Sequence, residues 1–263
     1  MNTLLLIVLF TLFSGVVSVL AAGLFLALPA RQRESVMPHM VSFATGALLG
    51  AALLGLIPHA VLGAGSERVH EVGIALIAGI ALFFVLEKFL LWRHCHDDHC
   101  DEHTVGDAHH AHARQKASGA LVLVGDSLHN ALDGVLIAAA FLTDTHLGIV
   151  TALAIMAHEI PQEIGIFAVL LNSGVSRGRA LLLNLLASLT AVVGGVIGYF
   201  ALESALAALP FAVAVAASSL LYVAVADLIP GLHRKVDPRS SITQVLLIGC
   251  GIAIIAFAEN HAH

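Results

Sequence analysis

Charged side chains are scarce in this chain of 263 residues: Asp, Glu, Lys and Arg make up 11% of it, and hydrophobic residues make up 59%. A soluble domain of this size would need many more charges, because about a quarter of the residues of soluble proteins are charged. Together with a mean hydropathy of +0.94, the composition indicates a membrane protein, whose first partner is the lipid bilayer. No basic patch is present to meet phosphate groups, which argues against nucleic-acid binding.

Cysteine is also rare, which excludes a disulfide-stabilised fold. Cys95, Cys100 and Cys250 form no CxxC pair and no disulfide framework. The N-terminal stretch MNTLLLIVLF lacks the Lys or Arg that precedes the apolar region of a signal peptide. Its apolar run of about 25 residues is also longer than that of a signal peptide. We therefore expect a retained spanning helix at this end.

Apolar runs long enough to cross a bilayer recur along the whole chain, since a spanning helix needs about 20 residues. Short segments with Pro, Gly or charged residues separate them and are expected to form the connections. We predict one membrane domain over residues 1–263, with an all-α polytopic fold. Its eight transmembrane helices are predicted at about 3–28, 37–62, 72–92, 119–142, 147–171, 179–201, 208–230 and 242–258.

The positions of Lys and Arg predict the orientation of these helices. Basic residues fall in alternate loops, those after the first, third, fifth and seventh predicted helices, and only Arg68 falls on the opposite side. Loops rich in Lys and Arg stay in the cytoplasm. We therefore predict that both termini lie outside the cytoplasm, in a plasma membrane or a bacterial inner membrane.

A short internal match raises the question of symmetry. The second predicted helix contains GLIPHA at 55–60 and the seventh contains DLIPGL at 227–232, near opposite ends of the two helices. The match predicts that helices 1–3 and 6–8 are inverted repeats around helices 4 and 5, an arrangement common in secondary transporters. Coincidence of three shared residues is the alternative.

The one long loop, residues 93–117, is predicted to be cytoplasmic and disordered. It has seven His, two Cys and five acidic residues between positions 94 and 112. This composition is typical of flexible metal-binding tracts, and a solvated linker is the alternative. The candidate ligands in the loop are His94, His96, His99, His103, His109, His110 and His112.

Two polar clusters interrupt the fourth and fifth predicted helices, LHNALDG at 128–134 and MAHEIPQEIG at 156–165. A charged side chain at the bilayer centre costs at least about 2.5 kcal/mol on insertion scales, so these clusters need a function. At about 100° per residue, the polar side chains of each helix share one face. Pro161 also frees a backbone carbonyl beside them. The candidate metal ligands are His129, Asn130, Asp133, His158, Glu159, Gln162 and Glu163.

The residue types indicate which metal these clusters bind. Imidazole, carboxylate and amide donors suit Zn²⁺, Fe²⁺, Co²⁺ or Mn²⁺ better than Ca²⁺ or Mg²⁺. Asp133 and Glu159 can together neutralise a dication, so that the ion and its ligands share the cost of burial. Glu163 lies at the edge of the polar face, and a helix-packing contact is the alternative for it.

HNALDG in one helix, followed by HEIPQE in the next, resembles the paired motifs of the Zrt-, Irt-like protein (ZIP) metal transporters. The similarity is greatest to the branch with a His-rich loop after the third helix, and it extends over the whole chain. It implies a homodimeric transporter, not an enzyme, that moves zinc or a similar divalent metal (Fe, Mn, Co or Cd) into the cytoplasm. The metal is then the substrate, and no cofactor is implied.

The resemblance also implies roles for single residues. His129, Asn130 and Asp133 match the ligand positions of the fourth helix, and His158, Glu159 and Gln162 match those of the fifth. His59, Asp126 and Asp227 resemble polar positions that line the family's pathway, with capping or packing as the alternative. Gln162 departs from the family, which often has Glu or His there. We therefore predict one well-occupied metal, because a neutral amide is poorly suited to bridging a second ion.

Two other functions share parts of these motifs. HEIPQ begins like the HExxH of an intramembrane metalloprotease, but Gln162 replaces the second His, and LDG precedes HE in the chain. His129 and Asp133 form an HxxxD like that of the cation diffusion facilitator exporters. That family is expected to have six spans and a second such motif, whereas eight spans are predicted here. The direction of metal flux would distinguish an importer from an exporter.

Overall fold

The computed structural model describes residues 2–95, 108–233 and 238–260, and this part of the chain contains helices and no strand. Eight of the helices are long and apolar enough to span a membrane, which confirms the predicted all-α polytopic fold. They are α1 (Thr3–Ala27), α2 (Ala30–Ala64), α3 (Val69–Cys95), α4 (Ala108–Thr143), α5 (Thr145–Asn172), α6 (Arg177–Glu203), α7 (Leu206–Leu232) and α8 (Pro238–Asn260).

Several helices extend beyond their predicted ends. α2 begins at Ala30 rather than near residue 37, and α4 begins at Ala108, within the segment predicted to be a loop. Hydrophobicity marks only the part of a helix that lies in the bilayer, so it misses polar turns that continue beyond the membrane. His96, His99 and His103 of the predicted metal-binding loop lie outside the described residues. For His94, His109, His110 and His112 the structure describes only the helical backbone.

The helices pack in pairs around α4 and α5. α4 lies against α6, α5 against α1, α2 against α8, and α3 against α7, and α4 and α5 also contact each other. If α1, α2 and α3 are exchanged with α6, α7 and α8 in that order, and α4 with α5, the same helix pairs are obtained. The predicted inverted repeat would have this packing.

α2 and α7 each contain one wide helical turn at corresponding places. The backbone is π-helical over Ala51–Leu56 in α2 and over Val223–Leu228 in α7, and each turn ends at the leucine before an Ile-Pro pair. In both, the N–H of the isoleucine bonds to the carbonyl five residues back. The rings of Pro58 and Pro230 would clash with the preceding turn of a regular α-helix. A wider turn relieves the clash.

Two glycines allow α4 and α6 to cross in backbone contact. A Cβ on Gly134 would lie 1.9 Å from the Ala191 oxygen, and a Cβ on Gly194 would lie 1.9 Å from the Ala131 oxygen. No side chain fits in either place. Gly134 directly follows Asp133, so this crossing fixes the rotation of α4 and thereby the direction of its polar face.

Candidate metal centre

Four side chains from α4 and α5 converge at the middle of the fold. The Nε2 atoms of His129 and His158 lie 3.4 Å apart. His129 Nε2 is 3.6 Å from both Asp133 Oδ2 and Glu159 Oε1. His158 Nε2 is 3.5 Å from the same oxygen of Asp133 and 3.7 Å from that of Glu159. All four ligand atoms lie within 4.8 Å of one another, and we call these residues the metal cluster.

The spacing of the metal cluster is that of a tetrahedral metal shell. Zn–N bonds of about 2.0–2.1 Å place two corners of a regular tetrahedron about 3.3–3.4 Å apart. The observed separations of 3.4–3.7 Å correspond to bonds of about 2.1–2.3 Å by the same geometry. Two neutral imidazoles and two carboxylates carry a charge that balances a dication. The donor set therefore fits a divalent transition metal.

A short helical hairpin places the four residues at one depth. Asp144, between α4 and α5, caps α5 by accepting hydrogen bonds from the backbone N–H groups of His146 at 2.8 Å and Leu147 at 3.0 Å. His129 lies fifteen residues before Asp144 and Glu159 lies fifteen residues after it. Because the two helices are antiparallel, these two residues face each other at equal distance from the turn.

Burial of the carboxylates is the strongest sign of a bound cation. Asp133 is 3% exposed, His158 1% and Glu159 2%. Asp133 Oδ2 and both side-chain oxygens of Glu159 have no hydrogen-bond partner among the described residues. Burying an unpaired ion costs several kcal/mol, and a dication held by these atoms removes that cost.

Two further predicted ligands, Gln162 and Asn130, lie beside the cluster rather than among its four donors. Gln162 Nε2 donates to Asp126 Oδ1 at 3.1 Å, and Asn130 Nδ2 donates to the backbone oxygen of Asp126 at 3.1 Å. Asp126 is buried and lies one turn from His129, toward the end of α4 that follows the His-rich loop. The amide groups of Gln162 and Asn130 are therefore both engaged with this residue.

Glu163 is not among the four donors of the metal cluster and bonds to α6 instead. Its Oε1 accepts a hydrogen bond from Ser188 Oγ at 2.7 Å, and its backbone oxygen accepts one from Asn184 Nδ2 at 3.3 Å. Both partners lie on α6. These contacts favour the packing alternative for Glu163 over the predicted role as a metal ligand.

Two cavities reach the metal cluster from the direction of the first part of α4 and the last part of α7. One, of ≈ 250 Å³, is lined by His129 and Gln162 and by Asp227 of α7. The other, of ≈ 210 Å³, is lined by His158, Gln162, Asp227 and the first turns of α2. Asp227 thus lines both cavities, as expected for a pathway residue.

Sequence reasoning missed two residues of the larger cavity. Glu87 of α3 and Tyr222 of α7 line it together, and the Tyr222 hydroxyl donates a hydrogen bond to the Glu87 carboxylate. In the sequence, Glu87 stands beside Lys88 near the end of an apolar run and looks like an interfacial charge. Only the packing of α3 against α7 brings it into the cavity.

In the other direction, toward the turn between α4 and α5, the large buried side chains beyond the cluster are apolar. Leu56, Leu136, Ile155, Val213 and Leu220 are all buried in one continuous core there. His59 lies beyond this core, with its Nδ1 2.9 Å from the backbone oxygen of Gly55. The two cavities therefore reach the cluster from one direction, and an apolar core separates the cluster from His59 in the other.

A bundle of apolar helices long enough to span a membrane, with a buried set of two histidines and two carboxylates that could hold a divalent metal, is the arrangement expected of a membrane metal transporter. A family profile described as ZIP zinc transporter matches residues 92–259. The chain is 32% identical to "Zinc transporter ZIP13" of Pongo abelii over 83% of its own length and 66% of that protein's. It is 30% identical to "Zinc transporter YKE4" of Saccharomyces cerevisiae over 84% of its length and 70% of that protein's. The chain belongs to the ZIP zinc transporter family.

Members of this family are transporters and not enzymes. The membership confirms the resemblance inferred from the paired motifs and removes the metalloprotease alternative. The chain spans about two thirds of the length of the ZIP13 and YKE4 relatives.

Proposed function

We propose that this protein moves Zn²⁺ or a similar divalent transition metal into the cytoplasm through the metal cluster of α4 and α5. The observation that carries the proposal is the near-tetrahedral set of four buried donors, with separations of 3.4–3.7 Å. Two imidazoles and two carboxylates favour zinc over the hard cations Ca²⁺ and Mg²⁺. Both relatives described above are named zinc transporters, which supports the same ion.

The exit route follows from the cavities. A metal leaving the cluster passes the Gln162–Asp126 pair and then reaches the cavity lined by Asp227 and Glu87. Carboxylates along the route keep the ion paired with negative charge, which lowers the cost of moving it through the membrane interior. His59, on the opposite side of the apolar core, is proposed to receive the ion at the entrance.

One metal ion occupies the cluster in this proposal. All four donors of His129, Asp133, His158 and Glu159 converge on a single point, and Gln162 donates its amide hydrogen to Asp126. A second ion close to the first would be repelled strongly in a low-dielectric site unless a carboxylate bridged the two. A neutral amide at position 162 supplies no such bridge.

Alternating access is proposed to use the inverted repeat of helices 1–3 and 6–8. Two observations support it: the helix pairs exchange with one another under the repeat, and both α2 and α7 carry a π-helical turn before Ile-Pro. Wide turns of this kind are frequent at functional sites of helices. In this proposal the described arrangement is the one with the inner half of the route open, and the exchanged arrangement would open the outer half.

The orientation is tested by labelling single cysteines in intact cells, in a chain whose three native cysteines have been replaced. The proposal places the side of the cavities in the cytoplasm, because the basic loops lie there. A cysteine at position 68 should react with an impermeant reagent, and one at position 116 should react only after the membrane is opened. The reverse pattern would make the protein an exporter.

Transport itself is tested in liposomes loaded with a zinc-sensitive dye. The purified chain should carry zinc into these liposomes. His158→Ala should reduce the rate of zinc uptake to that of liposomes without protein, because it removes one of four ligands. Glu203→Gln is the matched control, since Glu203 is exposed and bonds only to Tyr199 in the described structure. Uptake by His158→Ala at the rate of the unmutated chain would refute the proposed site.

A further inference from the structure

A second group of buried polar side chains lies where α5 meets α1 and α6, beside the metal cluster but separate from its four donors. Glu163 of α5, Asn184 and Ser188 of α6, and Ser18 of α1 are each at most 1% exposed. Ser188 and Asn184 both donate hydrogen bonds to Glu163, at 2.7 and 3.3 Å. The zinc route proposed above uses none of these residues, and we call them the three-helix group.

The crossing of α1 and α6 places Ser18 level with Asn184. A Cβ on Gly15 of α1 would lie 3.0 Å from Ser188 Cβ, so the two helices touch at this point. Ser18 is one turn further along α1, and Asn184 is one turn earlier along α6. Because the helices run antiparallel, the two side chains lie at the same depth.

Three oxygen atoms of the three-helix group lack a hydrogen-bond partner among the described residues. They are Glu163 Oε2, Asn184 Oδ1 and Ser18 Oγ. None of the ion pairs found in the described part of the chain includes Glu163. An ionised carboxylate buried without a counter-ion costs several kcal/mol, so either a cation or a proton must neutralise Glu163.

The donor atoms indicate what that partner is. All three are oxygens, which suit hard cations, whereas transition metals favour nitrogen or sulfur ligands. The group has one carboxylate and therefore balances one positive charge. Sites for coupling ions in secondary transporters lie in the same way between helices near the middle of the membrane.

We propose that Glu163, Asn184 and Ser18 bind a monovalent cation of the Na⁺ type at the junction of α1, α5 and α6. Glu163 supplies the neutralising charge, and the amide and hydroxyl oxygens complete the shell. Glu163 follows Glu159 by one helical turn, so the cation and the transported metal act on the same helix. Coupling between cation binding and zinc movement rests on the proposed zinc transport, but binding of the cation itself does not.

The test measures binding of radioactive Na⁺ to the purified full-length chain in detergent, with zinc removed by a chelator. The unmutated chain should show one saturable site. Glu163→Gln should weaken binding at least tenfold, since it removes the charge, and Ser18→Ala should weaken it about threefold or more. Glu259→Gln is the matched control, because Glu259 is also a largely buried carboxylate but lies near the end of α8. The Glu259→Gln variant should bind Na⁺ with the affinity of the unmutated chain.

The outcomes separate this proposal from the proposed transport function. No saturable Na⁺ binding by the unmutated chain, or equal binding by Glu163→Gln, overturns it and leaves a proton as the partner of Glu163. If Glu163→Gln elutes as aggregate, equal binding by folded Ser18→Ala overturns the proposal in the same way. Zinc binding is measured on the same samples, and its absence from the unmutated chain counts against the metal cluster alone.

Discussion

Replacing Asp133 by Asn should weaken metal binding and at the same time leave the metal-free protein at least as stable as before. The variant keeps the shape of the side chain but removes one of the two negative charges in the metal cluster. In the metal-free protein these two charges repel each other. In the metal-bound protein they are what hold the dication.

The structure sets the size of both effects. The ligand oxygens of Asp133 and Glu159 lie within 4.8 Å, which corresponds to a repulsion of about 3.5 kcal/mol or more between two ionised groups at an effective dielectric constant of about 20. Relief of this repulsion is the upper limit for the gain in stability without metal. Loss of a charged ligand should raise the zinc dissociation constant at least about 100-fold, or about 2.7 kcal/mol.

The assay compares melting temperatures of the purified protein with a chelator and with saturating zinc, together with a zinc titration against a competing dye. Asp133→Asn should melt at or above the temperature of the unmutated chain in chelator and should gain little from zinc. Glu203→Gln should behave like the unmutated chain in both conditions. A variant that melts clearly lower in chelator, or binds zinc within tenfold of the original affinity, would show that the two carboxylates do not face a common ion.

Three further predictions follow from other parts of the fold. Gln162→Glu replaces the amide that bonds to Asp126 with a carboxylate that can bridge two ions. The number of zinc ions per chain, measured by elemental analysis, should therefore rise from one toward two. An unchanged single ion would contradict the role given to Gln162. Gly194→Ala should destabilise the protein by roughly 1–3 kcal/mol through overpacking, because its Cβ would lie 1.9 Å from a backbone oxygen. The control Gly73→Ala has open space and should be neutral or slightly stabilising, and equal melting temperatures of the two variants would refute the close crossing. Deleting residues 96–107 should alter the apparent affinity or the regulation of uptake without abolishing it, and complete loss of uptake by a well-folded deletion would show that the His-rich loop is essential.

Much of the site follows from the sequence because its ligands are close together along the chain. His129 and Asp133 are four residues apart, and His158 and Glu159 are adjacent, so helical periodicity alone places each pair on one face. The apolar runs fix the number of spanning helices, because bilayer thickness sets the length of each. The short turn at Asp144 then makes α4 and α5 neighbours in the fold.

Choosing among the predicted ligands required the tertiary structure. Asn130, Gln162 and Glu163 are as polar as the four cluster residues, and helical periodicity places Gln162 between His158 and Glu159, with Asn130 and Glu163 at the edges of the polar faces. The structure shows what each one contacts: Gln162 bonds across to Asp126 of α4, Asn130 bonds to the backbone of its own helix, and Glu163 bonds to α6. Helix rotation is decided by contacts such as the glycine crossing of α4 and α6, which join residues some sixty positions apart.

The sequence by itself determined the class of the molecule, the number of its spanning helices and the chemistry of its metal ligands, because composition and local spacing express these directly. The tertiary structure decided which four donors meet, that Glu87 and Tyr222 line the route, and that Glu163 belongs to a different group of residues. These features depend on contacts between helices that are distant in the chain. Local periodicity carries no information about such contacts, since it describes each helix without its neighbours.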